Sequence, residues 1–164
     1  MGAAEEVSVD HYFAYGSNMN PARLGARGVP FADARSAWLP DMGLRFNKRA
    51  TRHPHWGCAN VVPAPGERVE GVLYRLADPA AILRLDRFEG TPVEYLRHLC
   101  RVETAAGPVE AWIYVAHPER VAEGLRPPRW YLEHLLAGRT HLSADYAARL
   151  SRVECHPEEG SGWP

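Results

Sequence analysis

The alternation of hydrophobic and polar positions along the chain predicts a series of short strands, most of them joined by tight turns. The first predicted strand is His11 to Tyr15, a short aromatic run that stops at Gly16. Asn20-Pro21 then has the form of a helix N-cap followed by a proline at the first helical position. The glycine at position 25 limits this helix to one or two turns.

Three strand–turn–strand patterns fill the middle of the chain, and each predicted turn is rich in proline or glycine. The strand pairs are residues 35–39 with 44–47, 58–62 with 69–76, and 95–103 with 109–116. A polar, irregular stretch at residues 49–57 predicts a long loop between the first two pairs. Because tight turns join neighbouring strands in opposite directions, we expect a largely antiparallel sheet.

Helical periodicity recurs at two later places. Asp78-Pro79 predicts the start of an amphipathic helix that ends at Gly90. From Pro128 onward the apolar positions predict two more helices, the second of them capped by Ser143. This order of elements indicates an α+β fold: a small, curled or closed, largely antiparallel β-barrel with flanking helices packed outside it.

The composition is that of an ordinary globular protein. The 164 residues fit one compact domain, which we place at residues 10–156 between loose ends at 1–9 and 157–164. A net charge of −1 gives no global field for nucleic acid or for an anionic membrane, and no apolar run reaches the ~20 residues of a membrane span. The absence of an apolar leader favours a cytoplasmic protein. Three distant cysteines argue against a disulfide framework: Cys58, Cys100 and Cys155.

The segment Tyr15-Gly16-Ser17-Asn18 is the first candidate for a ligand-binding loop. Gly16 allows a turn after the strand, and successive backbone N–H groups of such a turn can converge on one anion. Ser17 and Asn18 add short, neutral donors, which suit a carboxylate or a developing oxyanion better than a polyphosphate. The alternative is an ordinary turn in which these residues satisfy local backbone groups.

Glu89 is the second candidate, because it lies where a carboxylate is unfavourable. The end of a helix repels negative charge by about 0.3–1 kcal/mol, and exceptions to such local rules are often functional. If its side chain points inward, burial raises its pKa and makes it a proton acceptor near neutral pH. The alternative is an exposed glutamate paired with Arg84 or Arg87.

Other reactive or aromatic residues give weaker signals. His53, His55 and Cys58 lack a fourth ligand at zinc spacing and lie in a proline-containing loop, so we predict no metal site there. A cysteine nucleophile at Cys58 would need a positioned base, which spacing alone does not supply. Trp112 and Tyr146 lie on a predicted strand and in a helical stripe, positions typical of the core.

The two candidate segments together resemble the γ-glutamylcyclotransferase family over roughly residues 11–156. The YGSN loop followed some 70 residues later by a D-x-x-E-G segment is fairly specific to that family. The matching segments, in order, are YFAYGSNM at 12–19, VEGVLY at 69–74, LDRFEG at 85–90 with Tyr95 after it, and the helical pair at 128–154, which contains Tyr131.

The resemblance implies a compact barrel with a cavity at the end of the first strand. It implies an enzyme in which the substrate's own α-amine attacks its γ-carbonyl, releasing 5-oxoproline and a free amine. Glu89 would be the general acid and base, and the substrate would contact the YGSN loop, Tyr95 and Tyr131. No cofactor or metal is implied, and the partners are a small γ-glutamyl substrate and, if the protein is a homodimer rather than a monomer, a second copy.

Two readings stay open from the sequence. Phe88 stands where many relatives have a polar residue, and the loop from His53 to Cys58 is unusual, so the identity of the leaving amine is undetermined. The same cavity would also suit a non-catalytic module that binds a small carboxylate.

Overall fold

The computed structural model describes residues 9–157, and its centre is a closed barrel of five strands. The strands are β1 (His11–Ala14), β2 (Phe31–Arg49), β3 (Gly57–Leu76), β4 (Tyr95–Thr104) and β5 (Gly107–Ala116). They neighbour one another in the order β1-β3-β2-β4-β5, and β1 closes the barrel against β5 at the pair Tyr12 and Trp112. That pairing is parallel and the others are antiparallel, which confirms the predicted fold class. The predicted loose ends lie almost entirely outside the described residues.

Two of the three predicted turns are wrong, because β2 and β3 run on through them. The two strands pair with each other from end to end of one long hairpin, whose loop is the predicted irregular stretch. At the two supposed turns Asp41, at φ 59°, lies opposite the segment 64–67 of β3. Gly66, at φ 84°, donates its N–H to the Asp41 carboxylate at 3.0 Å. The turn-forming residues therefore bend both strands together instead of reversing either one. The third predicted turn is confirmed between β4 and β5.

Within residues 9–157, four α-helices flank the barrel: α1 (Pro21–Ala26), α2 (Ala81–Phe88), α3 (Arg129–Leu136) and α4 (Ala144–Ser151). The predicted caps are present, since Asn20 accepts from Ala22 N at 3.1 Å and Ser143 accepts from Tyr146 N at 3.3 Å. Helix α2 starts later than predicted, because the Asp78 side chain forms a turn on Ala80 N at 3.0 Å before the helix begins. Its end at Gly90, with φ 65°, is as predicted. Short 3₁₀ turns lie at Ser17–Met19, Pro118–Arg120 and Arg139–His141.

The core fixes the end of β1, from which the candidate loop departs. Phe13 is fully buried, and its ring covers Gly71 of β3. A Cβ at Gly71 would lie 2.3 Å from the carbonyl oxygen of Ala14, so only glycine lets β1 approach β3 this closely. Tyr146 is buried as predicted, whereas Trp112 is only partly buried and carries the Arg97 guanidinium 4.2 Å above its ring.

Two further expectations concern membrane-spanning helices and the cysteines. No helix among residues 9–157 is long and apolar enough to cross a membrane. The three cysteines are unpaired thiols: Cys58, Cys100 and Cys155.

Candidate active site

The YGSN loop leaves β1 and turns directly into the 3₁₀ turn Ser17–Met19. Gly16 begins this turn and its carbonyl accepts from Met19 N at 3.0 Å. The first N–H groups of a helical turn have no partner inside it, and no side chain caps this one. The first backbone N–H groups of this turn are therefore candidate donors toward the cavity that the loop lines.

Gly16 also makes room for a neighbouring helix. A Cβ at this position would lie 3.2 Å from the Tyr131 hydroxyl and 3.3 Å from Cβ of Ala59. Its φ of −112° is open to any residue, so close approach rather than backbone strain explains the glycine. The loop, α3 and β3 consequently meet at one point.

Glu89 follows the last turn of α2, and its side chain points inward toward the loop. One carboxylate oxygen, Oε1, accepts a hydrogen bond from Asn18 Nδ2 at 3.0 Å and lies 3.6 Å from Arg27 Nη1. The side chain is 14% exposed, and Arg84 instead donates to the carbonyl of Gly28. The alternative of an exposed Glu89 paired with Arg84 or Arg87 is therefore wrong.

Burial raises the pKa of the Glu89 carboxyl above its ordinary value. Arg27 and the Asn18 amide favour the charged form and oppose this rise, but burial dominates. A carboxylate with a raised pKa binds a proton more tightly than one in water, which is the property that a proton acceptor in an active site requires.

Asn18 is the residue that holds Glu89 in place. Its Nδ2 donates both to Glu89 and to the Tyr12 hydroxyl at 3.0 Å, while its Oδ1 accepts from Arg27 Nη1 at 3.1 Å. Its backbone carbonyl accepts from the Tyr74 hydroxyl at 2.7 Å. These bonds engage both N–H bonds and the oxygen of the side-chain amide, so the side chain orients the carboxylate.

Two phenols form hydrogen bonds with the backbone of Ala59 in β3. The Tyr95 hydroxyl donates to Ala59 O at 2.9 Å, and the Tyr131 hydroxyl accepts from Ala59 N at 2.9 Å. Burial raises the pKa of both phenols well above the ordinary value, so both are neutral. The Tyr131 oxygen acts only as an acceptor in this contact. Its own O–H proton has no acceptor among residues 9–157 and is therefore available to a ligand.

These groups surround an inner cavity of about 30 Å³. Every residue that the sequence predicts for the site lines it: Glu89, Tyr15, Gly16, Ser17, Asn18, Tyr95 and Tyr131. It adjoins an outer cavity of about 280 Å³, and Ser17, Glu89, Tyr95 and Tyr131 line both.

Sequence reasoning missed several residues of the site. The inner cavity is also lined by Tyr12 and Tyr114, and the outer one by Arg23, Arg27 and Lys48. Arg23 and Arg27 are four residues apart just after the loop, a spacing that places side chains on the same face of a helix. This spacing is the signal in the sequence that could have identified them. Tyr12 lies on the strand itself, and nothing local distinguishes it from a core residue.

The loop from His53 to Cys58 does not form a ligand cluster. Within residues 9–157 no three His, Cys, Asp or Glu side chains converge as metal ligands. The His53 ring stacks on Trp56 at 3.9 Å between centroids, while Cys58 is buried in the wall of the outer cavity. Burial raises the pKa of the Cys58 thiol to about 11, which keeps it protonated and a poor nucleophile.

Comparisons with known proteins agree with this architecture. The sequence is 33% identical over 91 residues to the Mus musculus protein named gamma-glutamylcyclotransferase, a match that covers 54% of this chain and 48% of the mouse protein. The chain thus spans about half the length of this curated relative. Among solved structures, one named gamma-glutamyl cyclotransferase superposes with a TM-score of 0.79 at 26% identity, covering 92% of this chain and 91% of that one. YkqA from Bacillus subtilis gives a TM-score of 0.79 at 26% identity, with 92% of this chain and 55% of that chain covered.

The family assignment itself comes from a match to residues 12–132. That range includes the loop, Glu89, Tyr95 and Tyr131, and it extends over well more than half of the chain. The protein belongs to the family described as gamma-glutamyl cyclotransferase, AIG2-like.

Proposed function

We propose that this protein is a γ-glutamyl cyclotransferase that cleaves a γ-glutamyl amide into 5-oxoproline and a free amine, with Glu89 as general acid and base. The catalytic unit is residues 10–156, acting as one domain. Membership of the family supports the class of enzyme, and the arrangement around Glu89 supports the mechanism.

One observation carries the proposal: a buried carboxylate that is held by one oxygen only. Asn18 and Arg27 engage Oε1 of Glu89, and Oε2 has no hydrogen-bond partner among residues 9–157. Because Glu89 lines both the inner and the outer cavity, a free oxygen on this side chain is available to a ligand at their junction. A positioned base with a raised pKa is what removal of a proton from an ammonium requires.

The reaction begins when Oε2 accepts a proton from the substrate's α-ammonium. The freed amine attacks the γ-carbonyl carbon of the same substrate molecule. Because the two reacting groups are already joined, holding the γ-glutamyl group in a ring-like, near-attack conformation contributes much of the rate acceleration. The carbonyl electrons move to oxygen, and the backbone N–H groups of residues 16–18 and the Tyr131 O–H stabilise the oxyanion or the α-carboxylate.

The attack closes the five-membered ring, and collapse of the tetrahedral intermediate then breaks the bond to the leaving nitrogen and re-forms the carbonyl of the lactam. Two protons pass from the α-nitrogen to the leaving nitrogen through Glu89, which ends the cycle as a carboxylate. No water is consumed, and no Lewis acid is needed, since the nucleophile is an amine and the leaving amine departs protonated. Proton transfer of this kind contributes about 10²–10⁴-fold to the rate.

The decisive experiment measures 5-oxoproline release from a panel of γ-glutamyl amides by wild-type protein, Glu89→Gln and Glu110→Gln. Glu110 is exposed on β5 and lines neither cavity, and its substitution makes the same change of charge and size. We expect turnover by wild type and Glu110→Gln, and a loss of about 10²-fold or more in Glu89→Gln. Full activity of Glu89→Gln would refute the role of this residue.

A binding module would give a different result. In that case 5-oxoproline and glutamate would raise the melting temperature of wild-type protein, yet no amide in the panel would be turned over. Such an outcome would replace the proposed enzyme by a carboxylate sensor that uses the same cavity.

A further inference from the structure

Asp86 is a residue of the D-x-x-E-G segment to which the proposed chemistry gives no role. It lies on α2, three residues before Glu89. Side chains three positions apart on a helix share one face, so a contact that fixes Asp86 also fixes the direction in which Glu89 points. The Asp86 side chain is 19% exposed, and it meets the wall of the barrel rather than open solvent.

One oxygen of Asp86 receives two hydrogen bonds from the barrel. Its Oδ1 accepts from the Tyr114 hydroxyl at 2.7 Å and from Arg97 Nε at 2.8 Å. Arg97 on β4 and Tyr114 on β5 are directly paired across the two strands, so their side chains lie on the same face of the sheet. The stacking of Arg97 on Trp112 restrains the guanidinium further. Two neighbouring strands therefore present a fixed pair of donors to a single carboxylate.

The apolar contacts of α2 restrain the helix in a different way from these hydrogen bonds. Ile82 and Leu85 are buried against the barrel. Leu83 and Phe88 are exposed, so only a narrow apolar face is covered. Burial of apolar area is non-directional, and it resists separation of the helix from the barrel more than rotation of the helix on it. Hydrogen bonds weaken steeply when they are bent, so the bonds of Asp86 restrict that rotation.

Tyr114 also connects α2 to the YGSN loop. Its backbone carbonyl accepts from the Tyr15 hydroxyl, while its own hydroxyl donates to Asp86. One residue of β5 thus contacts both the first residue of the loop and the helix that leads to the base. Because Asn18 of this loop donates to Glu89, the approach of the loop to the carboxylate depends on where these two contacts hold the loop and the helix.

We propose that Asp86 is a positioning residue for the cyclotransferase reaction: through its bonds to β4 and β5 it fixes α2, so that the Glu89 carboxylate stays within reach of the substrate's ammonium. This inference rests on the proposed function and adds a residue to its mechanism. Asp86 lines neither cavity, so it acts through Glu89 and not on the substrate. A displacement of about 1 Å at a reacting group can lower the rate by ~10²-fold, which makes such an anchor important for turnover.

The test measures kcat and KM for release of 5-oxoproline from γ-glutamyl-alanine by three variants: Asp86→Ala, Tyr114→Phe and Asp86→Asn. We expect the first two to lower kcat by about 10- to 100-fold and to change KM by less than about threefold, because the donors of the loop still meet the substrate. A residue needed only for stability would lower the melting temperature and leave both constants of the folded protein unchanged.

Asp86→Asn tests whether the conservative variant rescues turnover. It keeps the Oδ1 acceptor for both donors, and Oδ2, which the amide nitrogen replaces, has no hydrogen-bond partner among residues 9–157. The charge that it removes belongs to a partly exposed ion pair with Arg97, so kcat should stay within about fivefold of wild type. A loss in Asp86→Asn as large as that in Asp86→Ala would contradict positioning by these hydrogen bonds.

Tyr146→Phe is the matched control, because Tyr146 is also a buried tyrosine and lines neither cavity. It should leave kcat unchanged. The double variant Asp86→Ala/Tyr114→Phe should lose about as much as Asp86→Ala alone, since both substitutions break the same contact.

Two outcomes would overturn the inference and leave the cyclotransferase intact: losses that multiply in the double variant, or wild-type kcat in Tyr114→Phe. The second outcome decides the matter even where Asp86→Ala does not fold, because Tyr114→Phe removes only a hydroxyl. Absence of 5-oxoproline from every γ-glutamyl amide in the panel with wild-type protein would overturn both the inference and the proposed function.

Discussion

Replacing Asn18 by alanine tests whether this residue tunes the catalytic carboxylate. The side chain donates to Glu89 Oε1 at 3.0 Å and is 3% exposed, so solvent cannot replace the lost bond freely. A hydrogen bond to a charged group contributes about 1.5–3 kcal/mol, and the whole of this favours the ionised form of Glu89. Its loss raises the pKa of that carboxyl further, in the direction in which burial already moves it.

The expected result is a displaced pH profile. Below the pKa of Glu89, kcat/KM of Asn18→Ala should fall by about 10- to 100-fold, which is the rate equivalent of 1.5–3 kcal/mol. The loss of kcat/KM should shrink as pH rises, because Glu89 ionises again at alkaline pH even though its pKa is higher in the variant. The assay is 5-oxoproline release measured between pH 5 and pH 9 at a temperature where both proteins are folded.

Asn60 provides the control for this experiment. It is another asparagine with 3% exposure, and it bonds Asn47 at 3.0 Å and Ala116 N at 2.9 Å without lining either cavity. Asn60→Ala should lower the free energy of unfolding by about as much as Asn18→Ala does. It should leave the acidic limb of the pH profile of kcat/KM at the same pH as in wild type. An acidic limb that does not move in Asn18→Ala, or that moves equally in both variants, would refute the reasoning.

Three further predictions concern stability and the alternative nucleophile. Burial raises the pKa of Glu89 in the folded state above its value in the unfolded state, so ionisation of Glu89 destabilises the fold. This effect is absent below the unfolded pKa and grows as pH rises to the folded pKa. The melting temperature of Glu89→Gln should therefore exceed that of wild type at pH 8 and match it by pH 4, and a difference independent of pH would contradict this. Gly71→Ala should lower the free energy of unfolding, measured by urea titration, by about 3 kcal/mol or more, since its Cβ would lie 2.3 Å from Ala14 O. Gly25→Ala in α1, where the Cβ would meet open space, should raise that free energy by up to about 1 kcal/mol. Equal effects of the two substitutions would disprove the close contact at Gly71. Cys58→Ala should keep kcat within about threefold of wild type, because the pKa of the buried thiol is about 11, and a loss of several hundredfold would revive a thiol nucleophile.

The sequence predicts the barrel and its helices well because both follow from local rules. Strand periodicity, the Asn20 and Ser143 caps and the stop at Gly90 are properties of a few adjacent residues. The two wrong turns follow from the same rules. Asp41 and Gly66 have the chemistry of turn residues, and only the pairing of β2 with β3 decides that they bend a continuous hairpin.

The site separates in the same way into what adjacent residues show and what tertiary packing adds. The YGSN loop and Glu89 stand out in the sequence, one as a turn after a strand and the other as a misplaced charge. The double use of the Asn18 amide and the approach of Arg27 to Glu89 do not, because each depends on groups brought together by packing. The burial of Glu89 also depends on tertiary packing, because Asn18 and Arg27, which hold its carboxylate, are distant from it along the chain.

The hydrogen bonds of Tyr95 and Tyr131 to the backbone of Ala59 have a consequence for the time course of folding. Tyr131 reaches Ala59 from 72 residues away, and Asn18 meets Glu89 across 71 residues, so both halves of the site depend on large loops being closed. Contacts between remote residues form late, after the strands and helices that carry them. On refolding, the far-ultraviolet circular dichroism signal should therefore recover before activity does. The site would report that the barrel has closed, and partly folded chains would be inactive although most of their secondary structure is present.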